Sequence, residues 1–316
     1  MQQPKKMFLI VNFQAGQKRI AKKLADIVSI FCEHGFLPTV VNTQYTGHAR
    51  ELVEAFAKDY DIIVCAGGDG TLNETVSGLL TSGVERPVGY LPCGTTNDLA
   101  TTLGLSRDLL QAAHDIVEGE AIPLDLGIFN GRYFVYTASF GAFTRASYET
   151  SQLSKNVLGH LAYLLEGVKD LPNLQPVFAR IKTDQEELSG DFVFGAISNT
   201  TSLAGILTLD KEKVRLDDGK FEVLLIDMPK NAIDLSQTLV NIAQKKFEGP
   251  IHLITASTID IETKEPLDWT LDGEFEKGDR NFHVQNLHSA VRFVICDHSE
   301  LPISESYEIN TEEEDA

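Results

Sequence analysis

Up to about residue 120 the chain alternates short, wholly apolar runs with longer amphipathic stretches. Met7–Val11, Leu37–Asn42, Asp61–Ala66 and Val88–Leu91 read as strands. The stretches Gln17–His34, His48–Lys58 and Thr71–Leu80 read as helices, with shorter ones at Asn97–Leu103 and Arg107–Glu118. Apolar strands separated by helices are the pattern of a parallel sheet covered on both faces, since right-handed crossovers leave few other solutions. After Pro123 the rhythm shifts toward period two. Tyr133–Phe140, Val177–Lys182, Phe192–Ser198, Phe221–Asp227, Thr258–Thr263 and Ala290–Cys296 are strand-like. Thr258–Thr263 alternates strictly, as a half-buried antiparallel strand does. Helical patterns interrupt these strands at Lys155–Lys169 and Asn231–Lys245. The expected fold class is α/β plus mainly-β. A doubly wound N-terminal domain would span residues 1–122, and an antiparallel β-sandwich or distorted barrel residues 123–299. The acidic tail, from about residue 300 to 316, is expected to be frayed or to pack back on the first domain.

At 316 residues the chain is long enough for two cores. Acidic residues outnumber basic ones by 46 to 27, a formal net charge of −19, so the average field repels nucleic acid and nucleic-acid binding is not expected. Cys32, Cys65, Cys93 and Cys296 form no CxxC pair and read as buried free thiols of a reducing compartment. No apolar stretch approaches the ~18 residues of a membrane span, and the start is too short for a secretory core. The expected location is the cytoplasm.

The chemistry-bearing residues follow the strands of the first half. Cys65–Glu74 contains Gly67, Gly68, Asp69 and Gly70 ahead of a helix that opens near Thr71, where free N–H groups and the helix dipole attract phosphate. Asp69 suits a divalent cation bridging phosphates. The segment reads equally as a glycine turn with Asp69 as a solvated cap; it is neither a Walker loop nor GxGxxG. A second glycine turn, Leu91–Asp98, follows the fourth strand, while Asn12–Gly16 follows the first and Thr43 the second. In a parallel sheet these ends share one edge, where ligands bind.

Together, Gly67–Asn73, Pro92–Asp98, Pro123–Gly127 and Leu271–Glu274 resemble the bacterial soluble diacylglycerol kinases and their lipid-kinase relatives, and the likeness runs over essentially the whole chain. Ser139–Thr150, with Lys155, Asn156 and Gly159–Tyr163, has the same character. The resemblance implies an active site in a cleft between the two domains and phosphoryl transfer from ATP to the hydroxyl of diacylglycerol. It implies that Asn12, Phe13, Gln14, Ala15, Gly16, Thr43, Gly67, Gly68, Asp69, Gly70, Thr71, Leu72, Asn73 and Thr95 contact the nucleotide. Asp69, Asp98 and Asp125 match the acidic trio that holds catalytic Mg²⁺, directly or through water, and Glu274 matches the general base. Without the family, the Asp272-Gly273 turn before Glu274 reads as an ordinary surface turn.

The turn Arg215–Lys220 reads from its Asp-Gly as a hairpin. In the family the matching turn holds a second, structural Mg²⁺ through Asp218 and the backbone carbonyls of Arg215 and Lys220. Three departures stand out: Arg215 and Lys220 where an apolar residue is common, Phe13 in place of a usual proline, and Ala204 in a stretch often rich in glycine. The eight histidines show no ligand spacing and read as surface or capping residues. Lys18, Arg19, Lys22 and Lys23 supply i,i+4 pairs on one side of the expected first helix, which reads either as a solvated face or as a dock for anionic headgroups. Expected partners are membrane diacylglycerol, an anionic bilayer surface met peripherally, and a second copy of the chain as a homodimer. The rival readings are a kinase for another lipid such as a sphingoid, an NAD kinase, and a non-catalytic nucleotide- or lipid-binding regulator.

Overall fold

The computed structural model describes residues 3–141, 175–203, 207–209, 214–299 and 301–303. The expected helix at Lys155–Lys169, the family-like residues from 142 to 163, Ala204 and the tail beyond 303 lie outside these residues.

Strands β1 (Lys5–Val11), β2 (Phe36–Asn42), β3 (Ile62–Gly67) and β4 (Val88–Pro92) pair in parallel in the order β4-β3-β1-β2. Period two explains how β1 can be apolar throughout. Met7, Leu9 and Val11 face α1 (Leu24–Glu33) and α5 (Leu109–Glu118), while Phe8 and Ile10 face α2 (His48–Phe56) and α3 (Asp69–Ser82). The short helix α4 (Asp98–Thr102) follows β4.

The expected first helix forms only from Leu24. Residues Gly16–Lys22 make a 3-10 stretch instead, entered through positive φ at Gly16 (49°) and Lys18 (61°). With three residues per turn, Lys18 and Lys22 no longer stack, so the expected i,i+4 basic face is not built; Arg19 and Lys22 stand one turn apart instead.

The remaining strands are antiparallel neighbours: β5 (Glu120–Phe129), β6 (Arg132–Phe134), β7 (Thr137–Gly141), β8 (Val177–Thr183), β9 (Glu187–Ser198), β12 (Phe221–Asp227), β13 (Ile251–Ala256), β14 (Thr258–Leu271) and β15 (Glu274–Ile295). A small separate pair joins β10 (Ser202–Leu203) to β11 (Leu207–Thr208), and helix α6 (Ala232–Ala243) lies between β12 and β13. β14 and β15 are longer than expected, because their exposed stretches dilute the apolar alternation, and β5 was not expected although its middle is buried. The single expected strand Tyr133–Phe140 is broken into β6 and β7.

The pairings β7–β9, β9–β8, β8–β14 and β14–β7 close a ring of four strands. Phe129, Phe134, Phe140, Phe192, Trp269 and Phe282 fill the associated core. β15 also pairs in parallel with β4 at Phe293 and Val88, so one hydrogen-bonded sheet of 13 strands links both halves. The expected boundary at 122–123 falls inside β5. Beyond the last strand, Pro302 O accepts from Leu216 N at 2.9 Å and Ile303 O from Arg215 Nη1 at 2.7 Å, so the chain returns to the Arg215–Lys220 turn. Among the described residues no helix is long and apolar enough to cross a membrane.

Trp269, the chain's only tryptophan, is 1% exposed and ringed by Phe129, Phe140 and Phe282 at centroid distances of 4.8, 4.8 and 5.5 Å. Its indole N–H finds no acceptor among the described residues. Trp269→Ala should therefore cost about 3–5 kcal/mol. Trp269→Phe should cost much less, keeping a ring in place and removing an unpaired donor. Urea denaturation followed by far-UV circular dichroism measures both; equal losses would show that the aromatic packing is not what holds this core.

Candidate active site

Three loops meet backbone to backbone at the carboxyl edge of the parallel strands. A Cβ added to Gly16 would stand 1.5 Å from Cys93 O, and one on Gly94 would stand 2.7 Å from the Cα of Gly68. The glycines expected to admit a ligand thus first admit one another. Asn12 Nδ2 donates to Thr71 Oγ1 at 3.0 Å, and Gln14 N to Asn12 Oδ1 at 3.0 Å, tying the first loop to α3. Phe13 and Ala15 pack against the α1–α5 core, so this loop offers mainly backbone. Thr43 is held by donation of its N–H to Val11 O at 2.9 Å, and Thr95 is exposed in the turn after β4.

Within the glycine segment, Gly68 caps α3, whose first internal bond runs from Leu72 N to Gly68 O. The amides of Asp69, Gly70 and Thr71 precede it and are the ones free to meet an anion. Leu72 is core, and Asn73 Nδ2 donates to Asp272 Oδ2 at 2.7 Å. The side chains of Leu72 and Asn73 are structural.

Asp69 carries the clearest electrostatic signature. Burial and then the like charge of Asp98 push its carboxyl up to about 7, against donation from the Asn97 and Asp98 amides. Its Oδ1 is buried and has no donor among the described residues. Asp98, exposed at the mouth, is also raised, by desolvation and against the Tyr136 hydroxyl and Arg107. An orphaned oxygen beside a second carboxylate fits a divalent cation, which would relieve both.

Asp125 is not part of this pair's bonding. It is 1% exposed, and its oxygens accept from Gly219 N at 2.5 Å, Ser289 N at 2.7 Å and His288 Nδ1 at 3.0 Å. Of the expected trio, Asp69 and Asp98 act on each other, while Asp125 is bonded to the Arg215–Lys220 turn through Gly219 N and Leu216 O. In that turn Asp218 is exposed and accepts from Lys220 N at 3.0 Å. Asn286 Nδ2 donates to Lys220 O at 3.0 Å, leaving its own buried Oδ1 unpartnered. Buried Glu222 also has an orphaned oxygen, and its carboxyl is pushed up to about 8 by burial and then by Asp218. Unpartnered oxygens around an acidic turn fit a second cation, which Asp218 and the carbonyls of Arg215 and Lys220 would hold.

The residue missed in the sequence is Asp272. Buried to 5% exposure at a φ of 48°, it accepts from Val135 N (2.6 Å), Tyr136 N (3.0 Å), Thr137 N (3.1 Å) and Asn73. The turn read as a surface hairpin is thereby nailed to α3 and to the β6–β7 junction. Glu274, two residues on, lies over the start of α3: a Cβ on Gly70 would be 3.1 Å from Glu274 Oε1. Arg132 binds Glu274 Oε2 at 2.7 Å and also pairs with Glu276. Arg132 carries no motif, so only the fold reveals it. Of the cysteines, Cys65 and Cys93 are buried as expected, whereas Cys32 and Cys296 are exposed, at the end of α1 and just past β15.

With Asp69 titrating near 7 in the folded protein against about 4 in the unfolded chain, the folded state binds the extra proton. Stability of the metal-free protein should therefore fall as pH rises from about 4 to about 7. Asp69→Asn should flatten that fall and raise the melting temperature at pH 8 while abolishing turnover. Thermal denaturation in chelator across this range checks it; an unchanged slope would show that Asp69 is not a strained carboxylate.

A family model described as the diacylglycerol kinase catalytic domain matches residues 6–129. The chain is 32% identical over 275 residues to the diacylglycerol kinase of Bacillus subtilis (strain 168), covering 86% of this chain and 90% of that one. It is 32% identical over 274 residues to that of Staphylococcus carnosus (strain TM300), covering 86% and 89%. The solved structure of a candidate diacylglycerol kinase from Bacillus anthracis str. Sterne aligns at a TM-score of 0.78 and 26% identity, over 93% of this chain and 96% of that one. The likeness in sequence runs over 86% of the chain, well beyond the first half that the family model matches. This chain belongs to the diacylglycerol kinase family, kinases that phosphorylate an alcohol acceptor.

Proposed function

We propose that this protein transfers the γ-phosphate of MgATP to the free hydroxyl of diacylglycerol, giving phosphatidic acid. The observation that carries this reading is the convergence of Glu274 on the Gly70 end of α3, where Asp69 and Asp98 also act on each other. The amides of Asp69, Gly70 and Thr71, with Asn12–Gly16, Thr43 and Thr95, would hold the nucleotide. Asp69 and Asp98 would hold Mg²⁺, which supplies neutralisation of phosphate charge when bound.

Glu274 accepts the proton of the acceptor hydroxyl as that oxygen bonds to the γ-phosphorus and the bond to ADP breaks. Arg132 fixes the orientation of Glu274, and Asp272 fixes the turn that carries it. The membrane supplies the lipid. Contact with it is peripheral, and the exposed cations Lys18, Arg19, Lys22 and Lys23 beside the first loop are the basic feature to meet anionic headgroups.

Side-by-side assays of ATP-dependent phosphorylation of dispersed diacylglycerol, a sphingoid base and NAD⁺ test the proposal. Turnover of diacylglycerol is expected; turnover of only one of the others would reassign the substrate. Glu274→Gln should lower kcat about 10²–10⁴-fold with ATP affinity little changed. A matching loss of ATP binding would make Glu274 a nucleotide or metal ligand. Asp218→Ala should lower the melting temperature and shrink the further rise produced by Mg²⁺, because a ligand held only by the folded state stabilises it by mass action. A full Mg²⁺ effect in that variant would leave the turn a plain hairpin.

A further inference from the structure

On the face of the parallel sheet that carries α1 and α5, three side chains converge without any role in phosphoryl transfer. His34 ends α1 as its C-cap, while His114 and Glu118 stand four residues apart on α5, hence on one side of that helix. One ligating atom from each lies within 4.8 Å of the other two. The imidazoles meet edge to face, with centroids 5.8 Å apart and planes at 83°. Because His34 and His114 lie in different helices, sequence spacing cannot reveal the set.

One further feature favours an ion between them. His34 Nδ1 lies 2.8 Å from Ile30 O, which can only accept. The proton therefore sits on Nδ1 and the lone pair of the neutral ring on Nε2, the outer-shell arrangement that orients ligating histidines. The helices that present the ligands are rigidly joined, since Ile27, Ile30 and Phe31 of α1 share one core with Ala112, Ala113 and Ile116 of α5.

We propose that His34, His114 and Glu118 bind a divalent transition metal, with Zn²⁺ as the ion their chemistry suits, clipping the end of α1 to α5. Two imidazoles and one carboxylate exclude a preference for Mg²⁺, which demands oxygen ligands in near-ideal octahedral geometry. They leave an open fourth position for water. The ion acts on the stability of the nucleotide-side helices, away from the reacting groups.

The test uses the full-length protein freed of metal and then supplied with excess Mg²⁺ to fill oxygen-rich sites. Titration with Co²⁺ as a spectroscopic probe, followed by displacement with Zn²⁺, should show a single equivalent with visible bands of four- or five-coordinate cobalt. Zn²⁺ should raise the melting temperature. His114→Gln and the surface substitution Glu118→Gln should each weaken binding by at least about tenfold, the scale on which even outer-shell losses act. Kinase turnover with Mg²⁺ alone should stay at the wild-type level, which also verifies folding. Absence of cobalt bands in the wild-type protein, or equal affinity in wild type and Glu118→Gln, would overturn the proposal.

Discussion

The Asp272 carboxylate is the point on which the site's geometry depends. A carboxylate at 5% exposure is tolerable only when its oxygens are satisfied, and here three consecutive backbone amides and the Asn73 side chain satisfy them. These donors belong to two different problems of assembly. Val135, Tyr136 and Thr137 fix where the chain passes from β6 to β7, while Asn73 belongs to the second turn of α3. One buried charge therefore sets the distance between the helix that would receive phosphate and the hairpin that carries Glu274. Burial still disfavours its ionised form, so the clamp holds only while all four donors stay in place.

Around this clamp the protein concentrates negative charge that it does not itself neutralise. Asp69 is raised by burial and by Asp98, and Glu222 by burial and by Asp218, each with a buried oxygen that has no donor among the described residues. Such groups are costly in the free protein and become favourable when cations arrive. The two acidic places are structurally distinct yet share a scaffold. Asp125 lies on β5, the strand that also pairs with β15, and braces the second place through Gly219. Kinase chemistry needs charge held ready without reorganisation, and an instability kept in the metal-free state is one way to provide it.

The sequence by itself determined the parallel half of the fold and the identity of the chemical groups. Wholly apolar strands such as Met7–Val11 admit few environments other than a sheet covered on both faces, and the glycine turns at Gly67–Gly70 and Pro92–Gly94 mark strand ends through local backbone need alone. Glu274 was singled out through a motif, and the fold stands it over Gly70. Only the tertiary structure decided what those groups touch. Asp125 was grouped with Asp69 and Asp98 because the three match the family's acidic trio, but its partners include amides of Gly219 and Ser289, brought to it by antiparallel pairings no local signal encodes. Asp272 in an Asp-Gly turn is indistinguishable along the chain from a solvated hairpin, Arg132 from any exposed cation, and His34 and His114 from two unrelated surface rings. Local sequence sets backbone preference within a few residues; long-range burial sets the energy of a charge, and that energy belongs to neighbours the chain supplies from far away.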